Sequence, residues 1–264
     1  MSETETLEAA YTADEIMTLE ASRYLRNGMV CFVGIGLPSA ASNLARLTHA
    51  PDVVLIYESG AIDTKPDVLP LSIGDSELAE TARAIVSVPE MFRYWLQGGR
   101  IDVGFLGAAQ IDRYGNINTT VIGDYASPKI RLPGGGGAPE IATQSGEVFV
   151  LLRQSQRSFV DKIDFITTVG HYQGGNSTDR FNISGKGPTV VITDLGVLKP
   201  HPETREFMMT SMHEGVTRET AAAATGWPLK FADEVQVTPP PGAAELKILR
   251  DLNERTAKKH GGEI

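Results

Sequence analysis

Residues 29–60 read MVCFVGIGLPSAASNLARLTHAPDVVLIYESG, and this stretch determines the fold class of the chain. Residues 29–33 form a continuous apolar run of strand length, which is typical of a strand buried on both faces. The turn at residues 34–38, Gly-Ile-Gly-Leu-Pro, leads into a helix expected to end near His49, because proline is favourable in the first helical turn. Residues 52–57 repeat the buried-strand composition. The stretch therefore predicts a β-α-β unit with two parallel strands.

The same alternation of helices and strands continues along the chain. Thr12 and Glu15 form a capping-box pattern, which predicts the start of a helix before the first strand. Apolar runs and turn signals predict further strands at 84–88, 101–106, 117–122, 147–152, 164–169, 189–193 and 206–211, and helices at 89–97 and 243–259. We expect an α/β fold: an open mixed, largely parallel sheet with helices on both faces. Because no Pro/Ser-rich linker divides the chain, residues 1–264 are expected to form a single domain.

Composition excludes several classes of function. The chain has 264 residues, with 24 Lys and Arg against 33 Asp and Glu, and its net charge of −9 disfavours nucleic-acid and anionic-membrane partners. Its apolar runs are short and interrupted, so no membrane span is expected. Cys31 is the single cysteine, which rules out an internal disulfide and a zinc-thiolate cluster. We expect a protein of the reducing cytoplasm.

Glu58 directly follows the second strand of the β-α-β unit, in the sequence Glu58-Ser59-Gly60. An open parallel sheet binds ligands outside the carboxyl ends of its strands, so this carboxylate is expected at the ligand-binding edge. It is suited to act as a covalent nucleophile, as an acid or base, or as the partner of a ligand hydroxyl. The commonest fate of a glutamate, however, is a solvated loop position.

The turn Gly34-Ile35-Gly36 joins a strand to a helix, where glycines let backbone amides approach a phosphate. Glu58 lies about 20 residues downstream, where a dinucleotide-binding motif has its ribose-binding acid. The motif is broken, because its third glycine position is Ser39 and Pro38 occupies the turn. A nucleotide-binding module and a tight turn without a ligand both remain open.

The four consecutive glycines Gly134 to Gly137 are the strongest anomaly in the sequence. Glycines lose much conformational entropy on ordering, so a folded protein that contains four in a row is expected to need close backbone approach or unusual dihedrals. Their free amides are suited to bind an oxyanion or a phosphate. Pro133 and Pro139 bracket the run and restrict it, which favours this function over a flexible surface loop.

The histidines indicate neither a metal site nor a hydrolase. His49, His171, His201, His213 and His260 show no metal-ligand spacing, and the chain contains no Gly-x-Ser-x-Gly elbow. We therefore expect no metal and no serine nucleophile.

Together these residues resemble the B (beta) subunits of family I coenzyme A (CoA) transferases, in the branch that contains glutaconate and bacterial 3-oxoadipate CoA-transferases. The resemblance extends from the first helix to the last. The matching motifs occur in the family's order: Val33-Gly34-Ile35-Gly36-Leu37-Pro38, Tyr57-Glu58-Ser59-Gly60, Gly107-Ala108-Ala109-Gln110-Ile111-Asp112, Tyr114-Gly115-Asn116, Gly123-Asp124-Tyr125 and Gly135-Gly136-Gly137-Ala138.

The resemblance implies a role for each matching residue. Glu58 corresponds to the glutamate that attacks an acyl-CoA and then carries CoA as a glutamyl thioester. Gly136 and Gly137 correspond to the amides near the thioester oxygen. The residues implied to approach CoA are Gly34, Ile35, Gly36, Leu37 and Pro38. CoA is then a substrate, and no tightly bound cofactor is implied.

The family also implies a partner, an A subunit, in a heterotetramer. The expected reaction moves CoA from an acyl-CoA, succinyl-CoA, to a dicarboxylic or 3-oxo acid such as 3-oxoadipate. Relatives with this fold that lack the glutamate act as hydrolases or decarboxylases of CoA esters. Hydrolysis or decarboxylation, and a non-covalent nucleotide-binding module, are therefore the alternatives.

Overall fold

The computed structural model describes residues 11–179, 181 and 183–261. The two ends of the predicted domain, residues 1–10 and 262–264, lie outside the described residues. That the whole chain forms a single domain stays a prediction.

Fourteen strands occur in the described residues, and ten of them form one sheet. In chain order the strands are β1 (Val30–Phe32), β2 (Val54–Ile56), β3 (Ala61–Ile62), β4 (Ala84–Ile85), β5 (Val103–Leu106), β6 (Gln110–Ile111), β7 (Ile117–Asn118), β8 (Val121–Gly123), β9 (Pro128–Arg131), β10 (Glu147–Leu151), β11 (Pro188–Ile192), β12 (Gly196–Pro200), β13 (Phe207–Met212) and β14 (Lys230–Val237). The order in the main sheet is β14-β13-β12-β11-β10-β5-β1-β2-β3-β4, while β6-β7 and β8-β9 form separate two-stranded sheets.

The helices are short apart from three. They are α1 (Ala13–Arg23), α2 (Leu37–Leu47), α3 (Ser76–Glu80), α4 (Val88–Glu90) with its continuation as a π-helix (Met91–Leu96), α5 (Ala138–Gln144), α6 (Arg218–Ala223) and α7 (Ala243–Lys259). The predicted capping box begins α1, where Thr12 Oγ1 accepts a hydrogen bond from the Glu15 amide and Glu15 Oε2 accepts one from the Thr12 amide.

The central strands β11, β10, β5, β1 and β2 are parallel, and antiparallel pairs flank them on both sides. Alternate residues of each central strand face opposite sides of the sheet. On one side Cys31 and Leu55 pack with α1 and α2, and on the other Phe32 and Ile56 pack with the π-helix and α5. The predicted fold class, a mixed and largely parallel sheet covered by helices on both faces, is confirmed.

Two predicted strands differ from the structure because local hydrogen bonds interrupt the strand ladder. Residues 117–122 split into β7 and β8, because Asn118 Oδ1 accepts hydrogen bonds from the amides of Thr120 and Val121. The predicted strand 164–169 is wrong; only Thr168 forms a bridge, to Ile117. The amides of Thr167 and Thr168 both donate to the Ile117 carbonyl, which ends the ladder after one residue.

The predicted strand 84–88 and helix 89–97 also differ from the structure where they meet. The strand ends at Ile85, because Ser87 caps the following helix through a reciprocal pair of hydrogen bonds with Glu90. The helix becomes π-helical, since the amide of Gln97 donates to the carbonyl of Phe92, five residues earlier, at 2.8 Å. The π-helix thus begins at Met91, directly after the three residues of α4.

The connections place a topological switch point between β1 and β5. The chain runs from β1 to β2 on one side of β1, and then returns through β5 on the other side. Ligands of open α/β sheets bind in the crevice outside the carboxyl ends of the strands at such a point. The turns that follow β1 and β2, which hold Gly34 and Glu58, therefore lie at the edge where a ligand is expected.

No helix within the described residues is long and apolar enough to cross a bilayer.

Two buried histidines predict how stability depends on pH. Burial lowers the pKa of both His171 and His213. The Nε2 atom of His171 lies 2.8 Å from the carbonyl oxygen of Pro188, and that of His213 lies 2.8 Å from the carbonyl oxygen of Thr193. Because the unfolded chain binds protons that the folded chain does not, the free energy of unfolding should fall as pH drops below about 6.5.

The measurement is chemical denaturation between about pH 7.5 and pH 5.5, where ordinary carboxylates stay ionised. The variant His171→Gln, whose side-chain amide can still donate to the Pro188 carbonyl, should show a smaller loss of stability over this range than the wild type. An unchanged loss would mean that His171 does not titrate as described.

Candidate active site

Glu58 lies at the tip of the tight turn between β2 and β3. The Gly60 amide donates to the Tyr57 carbonyl at 2.9 Å, and the Tyr57 amide donates to the Ala61 carbonyl at 3.0 Å, so the hairpin closes around Glu58 and Ser59. Gly60 has a φ of +101°, which favours glycine. The turn holds the Glu58 backbone at the carboxyl end of β2.

The close approach of Val86 also requires a glycine at position 60. A Cβ there would stand 1.9 Å from the Val86 carbonyl oxygen, which no side chain can tolerate, and the Val86 amide donates to the Gly60 carbonyl at 3.0 Å. The segment after β4 is therefore pressed against the turn that carries Glu58.

Tyr57 fixes the base of this turn to helix α2. Its hydroxyl lies 2.8 Å from Ser39 Oγ, and Asn43 Nδ2 donates to the Ser39 carbonyl at 2.9 Å. Burial raises the pKa of Tyr57 to about 12, so the phenol stays neutral. Because strand residues alternate between faces, Tyr57 pointing towards α2 leaves Glu58 on the opposite face, that of the π-helix and α5.

The turn from Gly34 to Pro38 follows the neighbouring strand β1. Gly36 has a φ of +80° and serves as the N-cap of α2 without a side-chain hydrogen bond. A Cβ at Gly34 would make only ordinary contacts, 3.6 Å from Pro38 and 3.8 Å from the Phe105 carbonyl oxygen. The backbone amides in the first turn of α2, a helix of 11 residues, thus lie at the switch point and have no capping side chain.

A cavity of about 530 Å³ adjoins this turn, and Ile35, Gly36 and Leu37 form part of its wall. The remaining wall is largely apolar and comes from α1, α2, α7 and residues 69–71. The lining includes neither Glu58 nor the glycine run. The structure therefore places the Gly34–Pro38 turn and Glu58 at adjacent strand ends, but this cavity belongs to the turn alone.

The glycine run is anchored at its start and open at its end. The Gly134 amide donates to the Thr119 carbonyl and Thr119 Oγ1 donates to the Gly134 carbonyl, both at 2.8 Å. Among the described residues, no acceptor is hydrogen-bonded to the amides of Gly136 and Gly137. Gly137 is the N-cap of α5, with ordinary helical dihedrals. The run thus ends in free amides.

Glu58 and Gly137 lie close together. A Cβ added to Gly137 would stand 2.9 Å from Glu58 Oε1, and 2.6 and 3.0 Å from two ring atoms of Phe92. Since the φ of Gly137 is −81°, the backbone itself would accept a side chain, and only this crowding requires glycine. In the described part of the chain, the Glu58 carboxylate has no hydrogen bond or ion pair with another side chain or with the backbone, and it is only partly buried. A carboxylate left free beside unpaired amides is suited to react.

The sequence reasoning missed Phe92 as a site residue. Its position could not be read from helical periodicity, because the segment is π-helical. Strand alternation, which puts the residue after Tyr57 on the face opposite α2, is the signal that could have directed attention to that face. Within the described residues, no group of three or more His, Cys, Asp and Glu side chains is arranged to hold a metal ion.

Comparison with known proteins matches residues 15–223 to the family model described as "Coenzyme A transferase". The chain belongs to the coenzyme A transferase family. It is 62% identical over 253 residues to the B subunit of 3-oxoadipate CoA-transferase from Pseudomonas knackmussii, covering 96% of this chain and 97% of the relative. It is 34% identical over 247 residues to the B subunit of glutaconate CoA-transferase from Acidaminococcus fermentans, covering 91% and 92%.

The fold agrees with this membership. The crystal structure of glutaconate CoA-transferase from Acidaminococcus fermentans superposes with a TM-score of 0.87 and 31% identity, over 94% of this chain and 96% of that chain. The predicted family, its branch of B subunits and the enzyme class are confirmed. The roles of the site residues stay predictions.

The contacts of Gly60 predict a large effect of a small substitution. Gly60→Ala should lower the free energy of unfolding by roughly 2–5 kcal/mol, because the methyl group would collide with the Val86 carbonyl in a backbone conformation that favours glycine. The matched control is Gly74→Ala, whose new methyl group would come no nearer than 3.8 Å to Ser72 Oγ. Urea denaturation of both variants is the measurement. Equal stability of the two would show that the turn is not held by this contact.

Proposed function

We propose that this chain is the B subunit of a CoA-transferase that moves CoA from succinyl-CoA to a dicarboxylic or 3-oxo acid, 3-oxoadipate, with Glu58 as the nucleophile. The observation that carries the proposal is the Glu58 carboxylate, which is unpaired in the described part of the chain and borders the space beside the Gly137 Cα. The 62% identity to the B subunit of a 3-oxoadipate CoA-transferase supports the choice of acceptor.

The reaction begins when a Glu58 oxygen attacks the carbonyl carbon of the acyl-CoA. The C–S bond breaks, which gives an acyl-glutamyl anhydride and the CoA thiolate. The thiolate then attacks the Glu58 carbonyl carbon and displaces the acyl group as a free carboxylate, leaving a glutamyl-CoA thioester. The acceptor carboxylate repeats these steps in reverse. A carboxylate is needed because its anhydride retains the activation of the thioester.

The backbone supplies the positioning in this proposal. The amides of Gly136 and Gly137 stabilise negative charge on the oxygen of the reacting carbonyl, since they need no reorganisation to donate. The Gly34–Pro38 turn contacts the CoA moiety, and the adjacent cavity of about 530 Å³ offers room for part of it. CoA is a substrate here, and no tightly bound cofactor is required.

We propose further that an A subunit completes the enzyme, as a heterotetramer in the cytoplasm. The relatives, which are themselves B subunits, support a partner. Strand β4 forms one edge of the sheet with both residues exposed, and the nearby apolar side chains of Ile85, Val88 and Tyr94 are 62%, 48% and 59% exposed. We assign this apolar patch, Ile85, Val88 and Tyr94, to contact with the A subunit, beside the turn of Glu58.

The alternative functions differ from transfer in the substrates and ligands that they require. A hydrolase or decarboxylase of CoA esters turns over without an acceptor acid, whereas the transferase depends on one. A non-covalent nucleotide-binding module binds NAD without responding to CoA. Titration calorimetry with both nucleotides, and the dependence of turnover on 3-oxoadipate, separate the three functions.

The nucleophile is tested by Glu58→Gln, which keeps the shape of the side chain but replaces the nucleophilic carboxylate with a neutral amide. With the A subunit and succinyl-CoA, the wild type should form an adduct that borohydride reduces to an alcohol at Glu58, detected in the peptide by mass spectrometry. The variant should form none and lose transfer by at least about 10³-fold. Glu80→Gln is the control. Transfer that survives in Glu58→Gln would refute the mechanism.

The partner surface is tested by placing a charge in the apolar patch. Ile85→Lys should weaken association with the A subunit by at least about tenfold, because an ammonium group would be buried at the interface. The control is Val237→Lys, on the opposite edge strand β14, where the side chain is 69% exposed. Calorimetric Kd values are compared, and light scattering gives the stoichiometry. A larger effect of Val237→Lys would place the interface at the other edge.

A further inference from the structure

Phe92 closes one side of the Glu58 carboxylate. Its Cζ and Cε1 atoms would lie 2.6 and 3.0 Å from a Cβ on Gly137, and Glu58 Oε1 would lie 2.9 Å from the same point. The ring and the carboxylate thus both border the space that a side chain at Gly137 would fill. On that side the nearest neighbours of the carboxylate include the carbon atoms of the ring.

The side chain that borders this space beside the carboxylate is a phenyl ring. Its hydrogen-bearing edge carries partial positive charge, which suits a neighbouring anion. A phenyl ring offers no hydrogen-bonding group that could hold a water molecule in place. A ring at this position therefore tolerates the charged nucleophile and keeps water away from it.

Several contacts hold the ring in this position. Phe92 packs edge-on against Phe32, with the ring centroids 6.2 Å apart. Gln97 Nε2 donates to Glu140 Oε1 at 2.9 Å, which joins the π-helix to α5 and so to Gly137. The π-helical geometry sets the direction of the ring, and such segments occur frequently at functional sites.

We propose that Phe92 is a positioning residue that determines how much of the glutamyl intermediate is lost to water. The inference rests on the proposed function, because it needs Glu58 to carry CoA as a thioester. In the side reaction, water adds to the thioester carbonyl carbon and the C–S bond breaks. The oxygen of water stays on the Glu58 carboxylate, one proton of the water goes to the CoA thiol, and the other is released to solvent. Both the anhydride and the thioester are exposed to this loss.

The test compares Phe92→Ala and Phe92→Leu with the wild type, each assembled with the A subunit. Two rates are measured on the same preparation: free thiol released from succinyl-CoA without an acceptor, and transfer to 3-oxoadipate. The ratio of hydrolysis to transfer does not depend on the fraction of folded or assembled enzyme. It should rise by about tenfold or more in Phe92→Ala and by less in Phe92→Leu.

Arg93→Ala, an exposed neighbour on the same helix, is the matched control and should leave the ratio unchanged. If hydrolysis and transfer fall together in Phe92→Ala and the ratio stays constant, the inference is overturned. Failure of the proposed function looks different: Glu58→Gln would then retain transfer, and no borohydride-reducible adduct would form in the wild type.

Discussion

The close approach of the Gly137 Cα to Glu58 and Phe92 is the constraint on which the rest of the site depends. Three segments distant in sequence meet there: the β2-β3 turn, the π-helix and the end of the glycine run. A single methyl group at this point would require two of them to move. The hairpin closed by Gly60, the anchor of Tyr57 on α2, and the bond between Gln97 and Glu140 all serve to keep these segments in place.

An acidic chain that binds polyanionic CoA needs groups close to the binding site that attract the anion. With a net charge of −9, long-range electrostatics oppose the substrate. Backbone amides offer donors without relying on net charge, and in the proposed mechanism those of Gly136, Gly137 and the first turn of α2 have this role. In the same proposal, cations of the A subunit are the other source of attraction, and the glycines are the means by which this chain itself binds an anion.

The parts of the fold that could be predicted are those in which local pattern and tertiary environment agree. Strands β1, β2, β5 and β10 are buried on both faces, so their sequences are continuous apolar runs. The strand predicted at 164–169 failed because its pairing depends on the distant carbonyl of Ile117. Strand β14 was missed because all eight of its residues are exposed or half-buried, which removes the apolar signal.

For the site, local sequence identifies the reactive residue types but not the distances between them. Glu58 and the glycine run could be identified because each breaks a local expectation: a carboxylate at a strand end and four glycines in a folded chain. Phe92 could not, since an aromatic residue in an apolar segment has no unusual feature until its neighbours across the fold are known. The decisive measurement is a crystal structure of the assembled enzyme with the intermediate trapped. If Glu58 carries CoA beside the glycine run, electron density will run without a break from the Glu58 carbonyl to the CoA sulfur, with the thioester oxygen about 3 Å from the amides of Gly136 and Gly137. Density that joins CoA to another residue, or a thioester oxygen that points away from the two amides, would rule out this role of Glu58.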